Sequence, residues 1–287
     1  MSADASVSRC TTLFVALLYI APTPCVGQTT PHLNAVTAPT SPYGSCEPPQ
    51  IAITPFDGGL VRVDISSPCR KRTLVSVKDG DVAYGGELNE QGHWQLTLDA
   101  FQGNSELTFG FEGKLDIRRR LEHPQLAMLS KVAIVWLDNV DLDLHAFEPP
   151  GLDGKEQHVY ARSARSYEEA VRSGAAQGQS RGFISTTSSG QAFGNNLEVY
   201  TLVHQPRERR GVVRLAIEHV SRGHSPIDDY CGRGPKAVVR LDVYVLRHGR
   251  QLRRLERTLD SVPCGSVLTS ESALVTKLVP DLVLGGP

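Results

Sequence analysis

Short apolar runs, each closed by a turn signal, follow one another along almost the whole chain. From Cys46 the runs are IAIT, LVRVDI, TLVSV, VAYGGEL, WQLTL and ELTFGF, with Asp57-Gly58-Gly59, Asp79-Gly80 and Gln91-Gly92 between them. From Lys131 a second series begins: KVAIVWL, DLDLHAF, QHVYA, GFIST, LEVYTL, VVRLAIEHV and AVVRLDVYVLR. Runs of this length are strands, and strands at this spacing without a helical period build sandwiches or barrels. The spacing predicts an all-β chain of two β-sandwich domains, Ig-like or jelly-roll-like. The smaller covers 46–120 and is closed by LDIRRRLEH. The larger covers 121–287, with the division falling near 121–130.

Two local signals refine the second series. Ser166 and Glu169 form an S-x-x-E capping box, which predicts one short helix running from Tyr167 to Gly174. Leu252, Leu255 and Leu259 have helical spacing, but His248-Gly249 follows a strong strand and suits a two-residue turn. A hairpin is therefore expected there.

The first 45 residues read differently. Arg9 precedes the apolar run Thr11–Ala21, which has the length of a signal h-region and is shorter than a membrane span. Pro22 and Pro24 break it, and cleavage after Gly27 is expected. Residues 1–27 are then a signal peptide, and the Thr-, Pro- and Ser-rich stretch 28–45 a linker. The mature protein would be secreted or periplasmic, with no transmembrane segment after cleavage. Cys10 and Cys25 would leave with the signal. The remaining Cys46, Cys69, Cys231 and Cys264 would form disulfides, with the local pairs Cys46–Cys69 and Cys231–Cys264 preferred among three connectivities. With 30 Lys and Arg against 31 Asp and Glu, nothing in the overall charge favours nucleic acid.

The segment 134–151, IVWLDNVDLDLHAFEPPG, carries the densest chemistry. Alternation places Asp141, Asp143, His145 and Phe147 on one strand face, and Leu142, Leu144 and Ala146 on the other. The leucine face is the expected core face. The acidic face is either the wet side of a half-buried strand or a cation site. For the latter, Asp141, Asp143 and His145 are the candidate ligands of calcium or zinc, with Asp138, Glu148 and Asp153 in the flanking turns as further oxygen donors.

Three other motifs are weaker. Gly178-Gln-Ser180-Arg-Gly182 matches G-x-S-x-G, but a helix precedes it and a strand follows, the reverse of a nucleophile elbow. His219, His224, Asp228, Asp229 and Cys231 share one turn-rich loop that could take a metal. The arginine groups 118–120, 207–210 and 250–257 are interleaved with Glu122, Glu208 and Glu256, as on a salted surface.

Trp136, Asp141, Asp143-Leu144 and Pro149/Pro150-Gly151 resemble the W…D-x-D-L-H-x-x-x-P-x-G signature of bacterial YfaP-type β-sandwich domains. Pro68-Cys69-Arg70, Ala100-Phe101, Leu144-His145-Ala146, Gly182-Phe183, Glu198-Val199-Tyr200 and Pro263-Cys264 are similar to stretches of uncharacterised exported bacterial proteins of two β domains. The resemblance implies fold and export, and it transfers no catalytic residue. The function expected is that of a non-catalytic binding or envelope-structural module for a protein or glycan. The alternative is a metal-dependent hydrolase or metal-binding protein using the Asp141/Asp143/His145 face or the His219–Asp229 loop.

Overall fold

The computed structural model describes residues 46–112, 115–136, 141–188, 196–220, 238–260 and 274–285. Cys46–Pro287 forms one compact unit. Its first part holds β1 (Gln50–Phe56), β2 (Leu60–Ser66), β3 (Leu74–Asp79), β4 (Val82–Glu87), β5 (His93–Asp99), β6 (Asn104–Phe111) and β7 (Leu115–Glu122). They make a three-stranded sheet in the order β1-β2-β5 and a four-stranded one in the order β4-β3-β6-β7, antiparallel throughout. Inward-facing Val61, Val63, Ile65 and Leu98 of one sheet meet Val75, Val77, Tyr84, Leu107 and Phe109 of the other. Cys46 and Cys69 are bridged, with Cα atoms 5.9 Å apart and 23 positions apart in sequence. A loop of that size is stabilised by about 3 kcal/mol on closure.

The second part holds β8 (Leu129–Trp136), β9 (Asp141–Glu148), β10 (Gln157–Val159), α1 (Tyr167–Gln177), β11 (Arg181–Ser188), β12 (Asn196–Val203), β13 (Gly211–Val220), β14 (Val238–Arg247), β15 (Gln251–Asp260), β16 (Leu274–Val275) and β17 (Leu282–Leu284). One sheet runs β11-β12-β8-β14-β15 and the other β10-β9-β13-β16, with β17 also on β13. The expected all-β class is what the chain adopts, with two sandwich-like layers in each part and a single helix among the described residues. α1 starts at the expected capping box, where the Ser166 hydroxyl accepts the Glu169 N–H and Glu169 reaches back to the Ser166 N–H. It continues three residues past Gly174 and stops at Gly178, which is left-handed. β14 and β15 pair from Arg247↔Gln251 outward, so the leucines with helical spacing lie on a strand.

β8 explains how the parts are joined. Its even-numbered residues Val132, Ile134 and Trp136 pack between the sheets of the second part, whereas Ala133 belongs to the cluster built around the first part. Val199, Val203, Phe183, Tyr244 and Leu246 of neighbouring strands join Ala133 there. The five-stranded sheet is thus covered on both faces, which is why β8 reads as a nearly continuous apolar run. The stretch 121–130 is the end of β7, a 3-10 turn over Pro124–Met128 and the start of β8, and the hydrophobic cluster passes across it unbroken. Two short C-terminal strands, β16 and β17, had no pattern of their own in the sequence. They are held by pairing with β13.

Candidate metal centre

β9 pairs with β13 from Asp141 to Phe147, which sets Asp143 opposite Glu218 and His145 opposite Ala216. Leu142, Leu144 and Ala146 face the core, as alternation requires. The opposite face is not wet. Asp143 is 0% and His145 3% exposed, so the solvated-face expectation is wrong for these two residues. The reason is the segment after Gly151, which folds back: β10 pairs with Ala146–Glu148 and carries His158 and Tyr160 over His145. The Tyr160 and His145 rings stack at 5.0 Å with only 8° between planes, and His158 sits 5.0 Å from His145 and 4.4 Å from Phe147.

Under this cover Asp143, His145 and Glu218 bring one ligand atom each to within 4.8 Å of the others. His145 Nε2 lies 2.8 Å from Glu218 Oε2, and its Nδ1 lies 2.8 Å from His158 Nε2. Burial pushes the His145 imidazole below its ordinary pKa, as does His158, against the opposing pull of Glu218 and Asp143. Burial thus favours the neutral ring, the form that keeps a lone pair for a metal. Glu218 is partly exposed, and Arg162, 3.6 Å from Asp143, is largely in solvent, so this side gives water and ions a way in.

Of the expected ligands, then, Asp143 and His145 meet. Asp141 begins β9 opposite Val220, and its side chain lies outside the described residues. Glu148 is a correction. It is the last residue of β9 rather than a turn residue, and parity turns it to the core side, away from Asp143. There it accepts from Gly182 N–H at 2.7 Å and Tyr200 Oη–H at 2.9 Å, and pairs with Arg165 and Arg181. Asp153 closes its own turn by accepting Lys155 N–H. Asp138, the loop residues His224, Asp228, Asp229 and Cys231, and the Cys231–Cys264 pairing lie outside the described residues. His219 of that group lies within β13 and is buried. Glu218 and His158 were missed in the sequence. Glu218 alternates correctly with Ile217 and could have been found only by pairing VVRLAIEHV with DLDLHAF.

Ser180 is no nucleophile. It is fully buried, donates to Glu208 and accepts Gln205 N–H at 2.9 Å. A second chain of contacts has the order of a hydrolase relay: Ser130 Oγ lies 2.7 Å from His204 Nε2, and His204 Nδ1 lies 3.0 Å from Glu208. Ser130, however, is 3% exposed and accepts His248 N–H at 3.1 Å, while the His248 ring stacks on His204 at 4.0 Å. This chain fastens the β14–β15 turn to β8 and leaves a substrate no approach to the hydroxyl.

Two surface clefts are among those lined by the described residues. One, of about 510 Å³, lies beside Trp94, Asp64 and Gln95. The other, of about 490 Å³, is lined by Asp81, Tyr244, Arg240, Arg254 and Arg257. Arg254 there makes a two-pronged contact with Asp242 at 3.0 Å, the salted surface that the interleaved charges predicted. No described helix is long and apolar enough to cross a membrane. No protein-family model matches the chain, and no curated protein matches it in sequence.

Proposed function

We propose that the protein is an exported, non-catalytic β-sandwich module that binds a divalent transition-metal ion through Asp143, His145 and Glu218. The supporting observation is the convergence of these three ligand atoms within 4.8 Å under an aromatic cover. Asp143 and Glu218 bring two carboxylates against an imidazole, with Asp143 and His145 buried, and a metal ion would compensate this charge beside the Arg162 guanidinium. With a metal on Nε2, His145 keeps Nδ1 for His158, the kind of partner that orients metal-binding imidazoles. One nitrogen and two carboxylates suit zinc, manganese or iron. Calcium is disfavoured, since it takes six to eight oxygens. Export is supported by the Cys46–Cys69 bridge, since such bonds persist in oxidising compartments.

Metal-stripped protein should melt at a higher temperature when zinc is added. The gain is about 2.7 kcal/mol at a hundredfold excess of free metal over Kd. Cobalt in place of zinc should give visible absorption bands. Glu218→Gln and His145→Ala should each remove both responses, with unchanged circular dichroism. If the wild-type melting temperature ignores zinc, manganese and iron alike, the proposal fails.

A further inference from the structure

A second buried ionic cluster lies where the two parts of the molecule meet. Lys131 of β8 is completely buried, and its Nζ lies 2.6 Å from Oδ1 of Asp99, the last residue of β5, itself 1% exposed. Nζ also donates to Gly59 O at 2.8 Å, and it lies 5.7 Å from the centre of the Phe101 ring. Gly59 is required for this approach, since a Cβ there would fall 2.9 Å from Nζ. The other carboxylate oxygen of Asp99, Oδ2, accepts from Ser185 Oγ at 2.6 Å. A second acid, Asp79, is fully buried, accepts Phe101 N–H and acts electrostatically on Lys131.

We propose that Lys131 and Asp99 condense spontaneously in the folded protein to an amide, a covalent cross-link between β5 and β8. Amine and carboxyl are held in contact with water excluded, the condition under which an intramolecular reaction gains most from proximity. Burial pushes the Lys131 amine below its ordinary pKa and holds the Asp79 carboxyl above its own. Burial thus disfavours the charged form of both the Lys131 amine and the Asp79 carboxyl.

The step balances without a co-reactant. A proton passes from the ammonium to Asp99 Oδ1, and the freed Nζ lone pair attacks Cγ. The C–Oδ1 bond then breaks, with Asp79 protonating the departing hydroxyl and taking the remaining surplus proton from nitrogen. One N–C bond forms, one C–O bond breaks, and one water leaves. The product already has its partners. The amide N–H keeps Gly59 O, and the surviving oxygen, Oδ2, keeps the Ser185 hydroxyl. A desolvated charge pair is replaced by a neutral, hydrogen-bonded group.

Folded full-length protein should be denatured, reduced and digested with trypsin, and its peptides weighed. The segment 79–114, which contains no internal Lys or Arg, is expected joined to 121–155 and lighter than their sum by one water, with no cleavage after Lys131. Asp99→Asn should give the same junction with loss of ammonia instead. Asp79→Asn should leave the segments separate while circular dichroism stays that of the wild type. Free 79–114 together with cleavage after Lys131 in the wild type overturns the cross-link, whether or not any variant folds. A junction that persists in Asp79→Asn overturns the role given to that acid.

Discussion

Glu208 shows how a single side chain can collect several structural duties. Burial alone raises its pKa, yet hydrogen bonds from His204, Ser180 and the Gly285 N–H outweigh burial and hold the carboxyl at about 2. The unfolded chain binds this proton near 4.5. The contribution of Glu208 to stability is therefore fully present above pH 4.5 and is lost as pH falls toward 2. Urea unfolding across that range should show a steep acid limb in the wild type and a flatter one in Glu208→Gln. An equal slope in both would remove Glu208 from the account. Nothing around Glu208 in the sequence marks it. Its partners sit 4, 28 and 77 positions away, and only folding brings them together.

At the scale of elements, local rules carried most of the reading. α1 begins where S-x-x-E said it would, because both capping hydrogen bonds depend only on residues three apart. Ser166→Ala should cost about 1 kcal/mol, read as a shift in the denaturation midpoint with an unchanged slope. The β14–β15 turn was legible for the same reason. His248 and Gly249 both take positive φ, 46° and 63°, as a tight hairpin with native twist demands. β16 and β17 escaped because strands of two and three residues have no period to read. The wet-face expectation for β9 failed for a different reason. Alternation assigns residues to two faces but does not say what covers either, and the return of β10 with its histidine and tyrosine covers this one.

Across the whole molecule, the cluster that begins with Val61 and Phe109 continues through Ala133, Phe183 and Tyr244. Thr187 Oγ1 donates to Thr97 O at 3.4 Å, Phe101 lies 6.1 Å from Tyr244, and Lys131 meets Asp99. Units that share a core melt together. Calorimetry should give one transition for residues 46–285, with calorimetric and van't Hoff enthalpies in agreement. Two resolved transitions would mean that the parts are energetically separate despite this contact.

Strand order along the chain, the capped helix, the His248-Gly249 hairpin and the Cys46–Cys69 bridge were determined by sequence, because each depends on neighbours or on a short loop. The sidedness of β9 was determined too, since a period of two needs no partner. Only the tertiary structure decided that Glu218 stands beside Asp143 and that His158 braces His145. It also decided that Glu148 turns inward and that Lys131 lies against Asp99. These pairings join residues separated by many positions. Their register follows from which sheets close over which, a cooperative outcome of burying both faces of β8 that no local pattern encodes.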